Sequence, residues 1–142
     1  MIKEKIPNSY IDTDVIIRFL TGDDPKKQVR ASKLFEKVEQ GKLYLLAPDT
    51  VIADVVYVLS SPRLYNLPRE EIRDILFTLL RHTNFKVDNK VSLFAALDIY
   101  ASINLDFSDS FIAAECKHSK IKTLYSYDHD FDKIPNLIRR EP

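Results

Sequence analysis

Four aspartates stand where carboxylates are costly or conspicuous: Asp12, Asp54, Asp109 and Asp128. Asp12 ends an apolar Tyr10-Ile11 run and precedes a helical pattern in "IDTDVIIRFL", with Asp14 two residues on. Asp109 opens another helical pattern in "LDFSDSFIAA", and Asp128 follows an extended run in "LYSYDHDFD". Asp54 has Val51-Ile52-Ala53 before it and Val55 to Leu59 after it, so burial without a partner would cost several kcal/mol. None has an obvious cation nearby in sequence, and a divalent metal ion is the natural counter-charge for such a set. Loaded with a cation, carboxylates that repel phosphate become a site that attracts it and lowers the pKa of a bound water. Each residue taken alone also has a plainer reading. Asp12 and Asp14 serve as helix caps, Asp109 serves the helix dipole, Asp128 shapes an Asx turn, and Asp54 faces solvent.

The elements that position them follow from periodicity. Ala31, Leu34, Phe35 and Val38 form an apolar helical face between Pro25 and Gly41. Ile72, Ile75, Leu76, Leu79 and Leu80 form another behind Pro68, with Glu70 and Glu71 in the first turn. Leu93 to Ala101 give a third, and Phe111 to Cys116 lie in a fourth that starts near Ser108. Extended segments fall at Tyr10-Ile11, Tyr44 to Leu46, Phe85 to Val87 and Lys122 to Tyr125. The alternation predicts an α/β fold, a parallel sheet with helices on both faces. In such sheets ligands sit beyond the carboxyl ends of the strands, the edge that Asp12, Asp109 and Asp128 would share. "TVIADVVYVL" is ambiguous: its β-branched residues favour a strand, while the Ala-Pro-Asp before it favours a helix start.

Composition narrows the chemistry. The 142 residues suit one domain, read as 1–142 with frayed ends before about residue 8 and after about residue 139. The 21 basic and 21 acidic residues cancel, so a polyanion must be held by a local patch or a metal. Candidate phosphate contacts are Arg18, Lys26, Lys27 and Arg30, residues that equally form a solvated helix face. Two glycines, Gly22 and Gly41, exclude the glycine-rich nucleotide cradles. One cysteine, Cys116, excludes an internal disulfide and reads as a buried small hydrophobe. Asp128-x-Asp130-x-Asp132 fails as a calcium loop because Lys133 stands at the glycine position and Arg139 at the glutamate position. No apolar run spans a membrane and the charged N-terminus is unlike a secretory signal, so the expected location is the cytoplasm.

Taken in order, "YIDTDVIIRFLTGDDP", "TVIADVVYVLS", "LDFSDSFIAAE" and "LYSYDHDFDKI" resemble the PIN domains, above all the short stand-alone VapC-type toxin ribonucleases. The resemblance implies a central parallel sheet of about four or five short strands, and makes "TVIADVVYVL" a helix. It implies an endoribonuclease that hydrolyses RNA phosphodiester bonds with Mg²⁺ or Mn²⁺ held by catalytic Asp12, Asp54, Asp109 and Asp128. It further implies a cognate antitoxin partner and a homodimer. Three positions depart from the pattern: Asp14 replaces asparagine, Ser126 replaces threonine, and Asp54 replaces glutamate. Ser126 keeps a hydroxyl to orient an acidic residue or a water, and Asp14 either adds to the metal site or pairs with Arg18 at i, i+4. The shorter Asp54 supports the alternative reading, a catalytically weakened PIN-fold module that binds RNA or protein.

Overall fold

The computed structural model describes residues 5–142. The expected fraying of residues 1–4 lies outside them. Helix α1 (Thr13–Leu20) follows strand β1 (Asn8–Tyr10), and α2 (Pro25–Glu39) runs on to β2 (Tyr44–Ala47). Helices α3 (Asp49–Ser60) and α4 (Arg69–Leu80) lead to β3 (Phe85–Val87), which is followed by α5 (Lys90–Ser102) and α6 (Phe107–His118). The chain closes with β4 (Thr123–Tyr125), a short 3₁₀ turn over His129–Lys133, and β5 (Ile138–Arg140).

Local signals account for the ends of α2. Asp24 accepts the Lys27 N–H at 3.2 Å ahead of Pro25, and beyond its last turn Gly41 takes a left-handed φ of +72°. In α3, packing overrides propensity. Val51, Ile52, Val55, Val56 and Leu59 are all buried, at spacings that place them on one helical stripe. Burying each stabilises the fold by about 1.5–3 kcal/mol, against a helix penalty of roughly half a kcal/mol per β-branched residue. The opposite stripe of Thr50, Asp54 and Tyr57 faces solvent. These α3 residues join one core with Ile16, Leu45, Leu76, Leu80, Phe85, Leu93 and Leu97. Cys116 is half-buried rather than buried.

Among the described residues all strand pairs are parallel, as expected, and there are five strands. They do not form a single sheet. β1, β2 and β3 pair in that order, with Tyr10 opposite Leu46 and Ala47 opposite Val87, while β4 and β5 form a separate pair with Tyr125 opposite Arg140. A central parallel strand is buried on both faces and wants a near-continuous apolar run. β1 reads Asn-Ser-Tyr and is exposed along its length, so its outer edge lacks the surface that would draw β4 against it. The ladder to β2 continues one residue past β1, where the Ile11 N–H donates to the Leu46 carbonyl at 3.0 Å. The C-terminal pair is anchored by buried Phe131 and by Lys133, whose Nζ donates to the Asn104 carbonyl at 3.0 Å. None of the described helices is long and apolar enough to cross a membrane.

Candidate active site

Asp12 lies at the end of β1 as the N-cap of α1, where its Oδ1 accepts the Thr13 N–H at 2.7 Å. Asp128 follows β4 and caps the 3₁₀ turn, its Oδ1 accepting the Asp130 N–H at 2.9 Å. The Asp128 N–H in turn donates to Ser126 Oγ at 2.9 Å, which fixes the backbone that carries the carboxylate. The helix cap anticipated for Asp12 and the Asx turn anticipated for Asp128 are both present. Each uses only one oxygen, and Oδ2 of Asp12 and of Asp128 has no hydrogen-bond donor among the described residues.

Asp109 occupies the first turn of α6 and is half-buried. Burial pushes its carboxyl pKa up, and the charges of Asp128, Asp106 and Asp130 push it further in the same direction. Carboxylates from the start of α6 and from the turn after β4 thus share one acidic field. Asp109 also lines a cleft of about 550 Å³ with Ala53, Tyr57, Arg69, Asp106 and Phe107. Asp54 is exposed on the outward stripe of α3, one residue from Ala53 and three from Tyr57 on that wall. The expected burial cost does not arise, because the apolar neighbours of Asp54 turn inward without it.

The charge of Asp128 is felt at Asp109, but the structure does not gather the four aspartates into one cluster. Among the described residues no group of three acidic, histidine or cysteine side chains is close enough to hold an ion. The donors are carboxylate oxygens, the hard ligands that suit Mg²⁺ or Mn²⁺. The arrangement fits an ion that keeps most of its waters and takes one or two carboxylates, rather than a closed cage. Asp130 and Asp132 are drawn off by local cations: Asp130 pairs with Lys133 at 3.0 Å, and Asp132 with Arg139 at 3.0 Å. The Arg139 hydrogen bond, followed by that of His129, holds the Asp132 carboxyl below its ordinary range.

Among the basic candidates, Arg18, Lys27 and Arg30 line a groove of about 470 Å³ with Asp14, Val15 and Leu34, whereas Lys26 is exposed and stands off that wall. Arg18 does not pair with Asp14. It reaches Asp23 instead, at 3.3 Å, because Asp23 is already fixed by the hydroxyls of Tyr65 at 2.7 Å and Thr21 at 3.0 Å. Those two hydrogen bonds are the main reason that the Asp23 carboxyl lies below its ordinary range.

Arg69 escaped the sequence reading. Its Nη1 donates to the carbonyls of Tyr100, Ile103 and Leu105, the last at 2.6 Å, and its guanidinium lies 4.3 Å from the centre of the Tyr100 ring. No local signal betrays partners more than thirty positions away.

A model of the PIN domain family matches residues 9–137. The chain belongs to the PIN domain family. Similar proteins include a VapC ribonuclease of Aquifex aeolicus, 29% identical over 124 residues that cover 87% of this chain and 90% of that protein. A ribonuclease VapC6 of Methanocaldococcus jannaschii is 23% identical over 146 aligned positions, covering 89% of this chain and 92% of its own. The PIN assignment agrees with the α/β architecture of parallel strands and six α-helices among the described residues.

Proposed function

We propose that this PIN domain, a single unit over residues 1–142, is a divalent-metal-dependent endoribonuclease and the toxin of a toxin–antitoxin pair. The observation that supports the chemistry is Asp109 itself, half-buried on the wall of an open cleft, its carboxyl pKa raised by burial and by the charges of Asp128, Asp106 and Asp130. The ribonuclease and toxin parts rest on family membership and on the two VapC relatives, each matched over most of its length.

Asp109 and Asp128 are the residues we assign to hold Mg²⁺ or Mn²⁺, with Asp12 and Asp54 completing the site through water. When bound, such an ion supplies positive charge to the scissile phosphate and acidifies a water. The chain's own contribution is placement. Ser126 fixes the Asp128 backbone, the cap at Asp12 orients its free oxygen, and the half-buried setting of Asp109 strengthens its interaction with any cation. Arg18, Lys27 and Arg30 offer contacts to RNA phosphates along the α1–α2 groove, with Lys26 beside them, and Asp14 on that wall tempers their charge. The proposed setting is the cytoplasm, with an antitoxin protein and a second copy of the chain as partners.

The separation of the four aspartates favours one rival, a weakened PIN module that binds RNA without cutting it. Purified protein incubated with 5′-labelled RNA in Mn²⁺ separates the two. The nuclease gives internal cuts that EDTA abolishes, and an Asp109→Asn sample from the same preparation route gives none. Binding without cleavage in the parent protein establishes the rival.

A further inference from the structure

The cleft that carries Asp109 has features that metal binding leaves unexplained. Its volume, about 550 Å³, falls in the usual range of small-ligand sites. Tyr57 stands on its wall with 75% of its surface exposed, so its ring is free to meet a ligand. Phe107, Leu67 and Pro68 add apolar surface. Arg69 lines the same wall and has no carboxylate partner among the described residues. Its Nη1 is spent on three carbonyls near the end of α5, while Nε and Nη2 have no acceptor among those residues. An aromatic face and a guanidinium with free donors in one cleft match two parts of a nucleotide, base and phosphate, beside the carboxylate assigned to the metal.

We propose that this cleft seats one unpaired nucleotide of the RNA, with its base stacked on Tyr57 and its phosphate or base edge held by Arg69. The proposal rests on the ribonuclease reading and names the side chains that would hold the nucleotide; bases inside a duplex have no face free to stack. Tyr57 is a positioning residue, and it shares an outward stripe of α3 with Asp54. The base thereby sets which phosphate comes to rest beside Asp109.

The test measures binding by fluorescence anisotropy of the intact protein in Ca²⁺, which occupies oxygen sites while supporting hydrolysis poorly. The probes are a short single-stranded RNA, the same strand annealed to its complement, and an abasic strand with equal phosphates. Parent protein is expected to bind the single strand about tenfold or more tightly than the other two. Tyr57→Ala is expected to bring the single strand down to the abasic level, with Tyr57→Phe within about twofold of the parent, since the ring does the stacking. Both variants should unfold at the parent's temperature because the side chain is exposed. Equal binding of the abasic strand, or parental affinity in Tyr57→Ala, overturns the proposal. If the parent still cuts RNA in Mn²⁺ under either of those results, the nuclease reading stands and only the stacking site falls. If the parent neither binds nor cuts any RNA, both fall together.

Discussion

Replacing Asp109 with asparagine separates an acidic site from a helix-dipole residue without any substrate. Burial first, and then Asp128, Asp106 and Asp130, raise the Asp109 carboxyl pKa, so the folded protein holds that proton more tightly than the unfolded chain does. Ionised Asp109 therefore destabilises the fold. The penalty is absent below the ordinary carboxylate value of about 3.9 and complete above the raised value. Asparagine keeps the shape and deletes the charge. Because Asp109 remains partly open to solvent, screening holds the gain at pH 7 to about half a kcal/mol. For a chain of 142 residues that is a rise in Tm of about 1–2 °C. Thermal unfolding in EDTA across a pH series should show Asp109→Asn above the parent at neutral pH, with the gap closing as pH falls through the raised range. In Mn²⁺ at a hundredfold excess over its dissociation constant the parent should gain about 2.7 kcal/mol, or about 9 °C, and the variant should lose most of that gain. A variant less stable than the parent at every pH, with an undiminished Mn²⁺ shift, would refute the reasoning and make Asp109 a dipole residue.

Asp54→Glu should preserve or raise the single-turnover cleavage rate by restoring a methylene of reach, and Asp54→Ala should lower it; a parental rate in Asp54→Ala removes Asp54 from the site. Arg69→Ala should destabilise the fold by about 2–3 kcal/mol in denaturant titration, because three carbonyls at and beyond the end of α5 lose a charged donor. A change within half a kcal/mol would show that those carbonyls find water instead. Tyr65→Phe should move the Asp23 carboxyl pKa up toward its ordinary value in an NMR titration, since the Tyr65 hydroxyl is the largest cause of its depression. No movement would mean that the 2.7 Å hydrogen bond does not persist in solution.

The helices were legible because each buries a face at helical spacing, as Ala31, Phe35 and Val38 do in α2. Helix α3 was not legible from propensity, since its valines favour a strand until the core that receives them is known. β5 went unread because Ile138-Arg139-Arg140 is short and basic and gains its order only from pairing with β4. The split of the sheet was written in Asn8-Ser9-Tyr10, a sequence too polar for a strand buried on both faces. At the site, Asp12, Asp109 and Asp128 were visible as carboxylates at element junctions, and the bonds that Asp12 and Asp128 accept are as local as the sequence suggested. What the sequence could not convey was distance. It placed three aspartates at one sheet edge, but only the fold reveals that Asp109 shares its field with Asp106, Asp128 and Asp130. Tyr57 was within reach of pattern reading, three residues beyond Asp54 on one helical stripe. Arg69 was not, because its meaning depends on the carbonyls of Tyr100, Ile103 and Leu105.

The most direct test of the central claim is the single-turnover rate of RNA cleavage as a function of Mn²⁺ concentration, in the parent and in Asp12→Asn, Asp109→Asn and Asp128→Asn. The parent should show no cleavage in EDTA and a saturable rise with Mn²⁺. The rate should be lower by orders of magnitude in Asp109→Asn and Asp128→Asn, with excess Mn²⁺ recovering part of the loss. Cleavage by the parent at full rate in EDTA, or metal titrations that superimpose in all four proteins, would exclude a catalytic metal held by these aspartates.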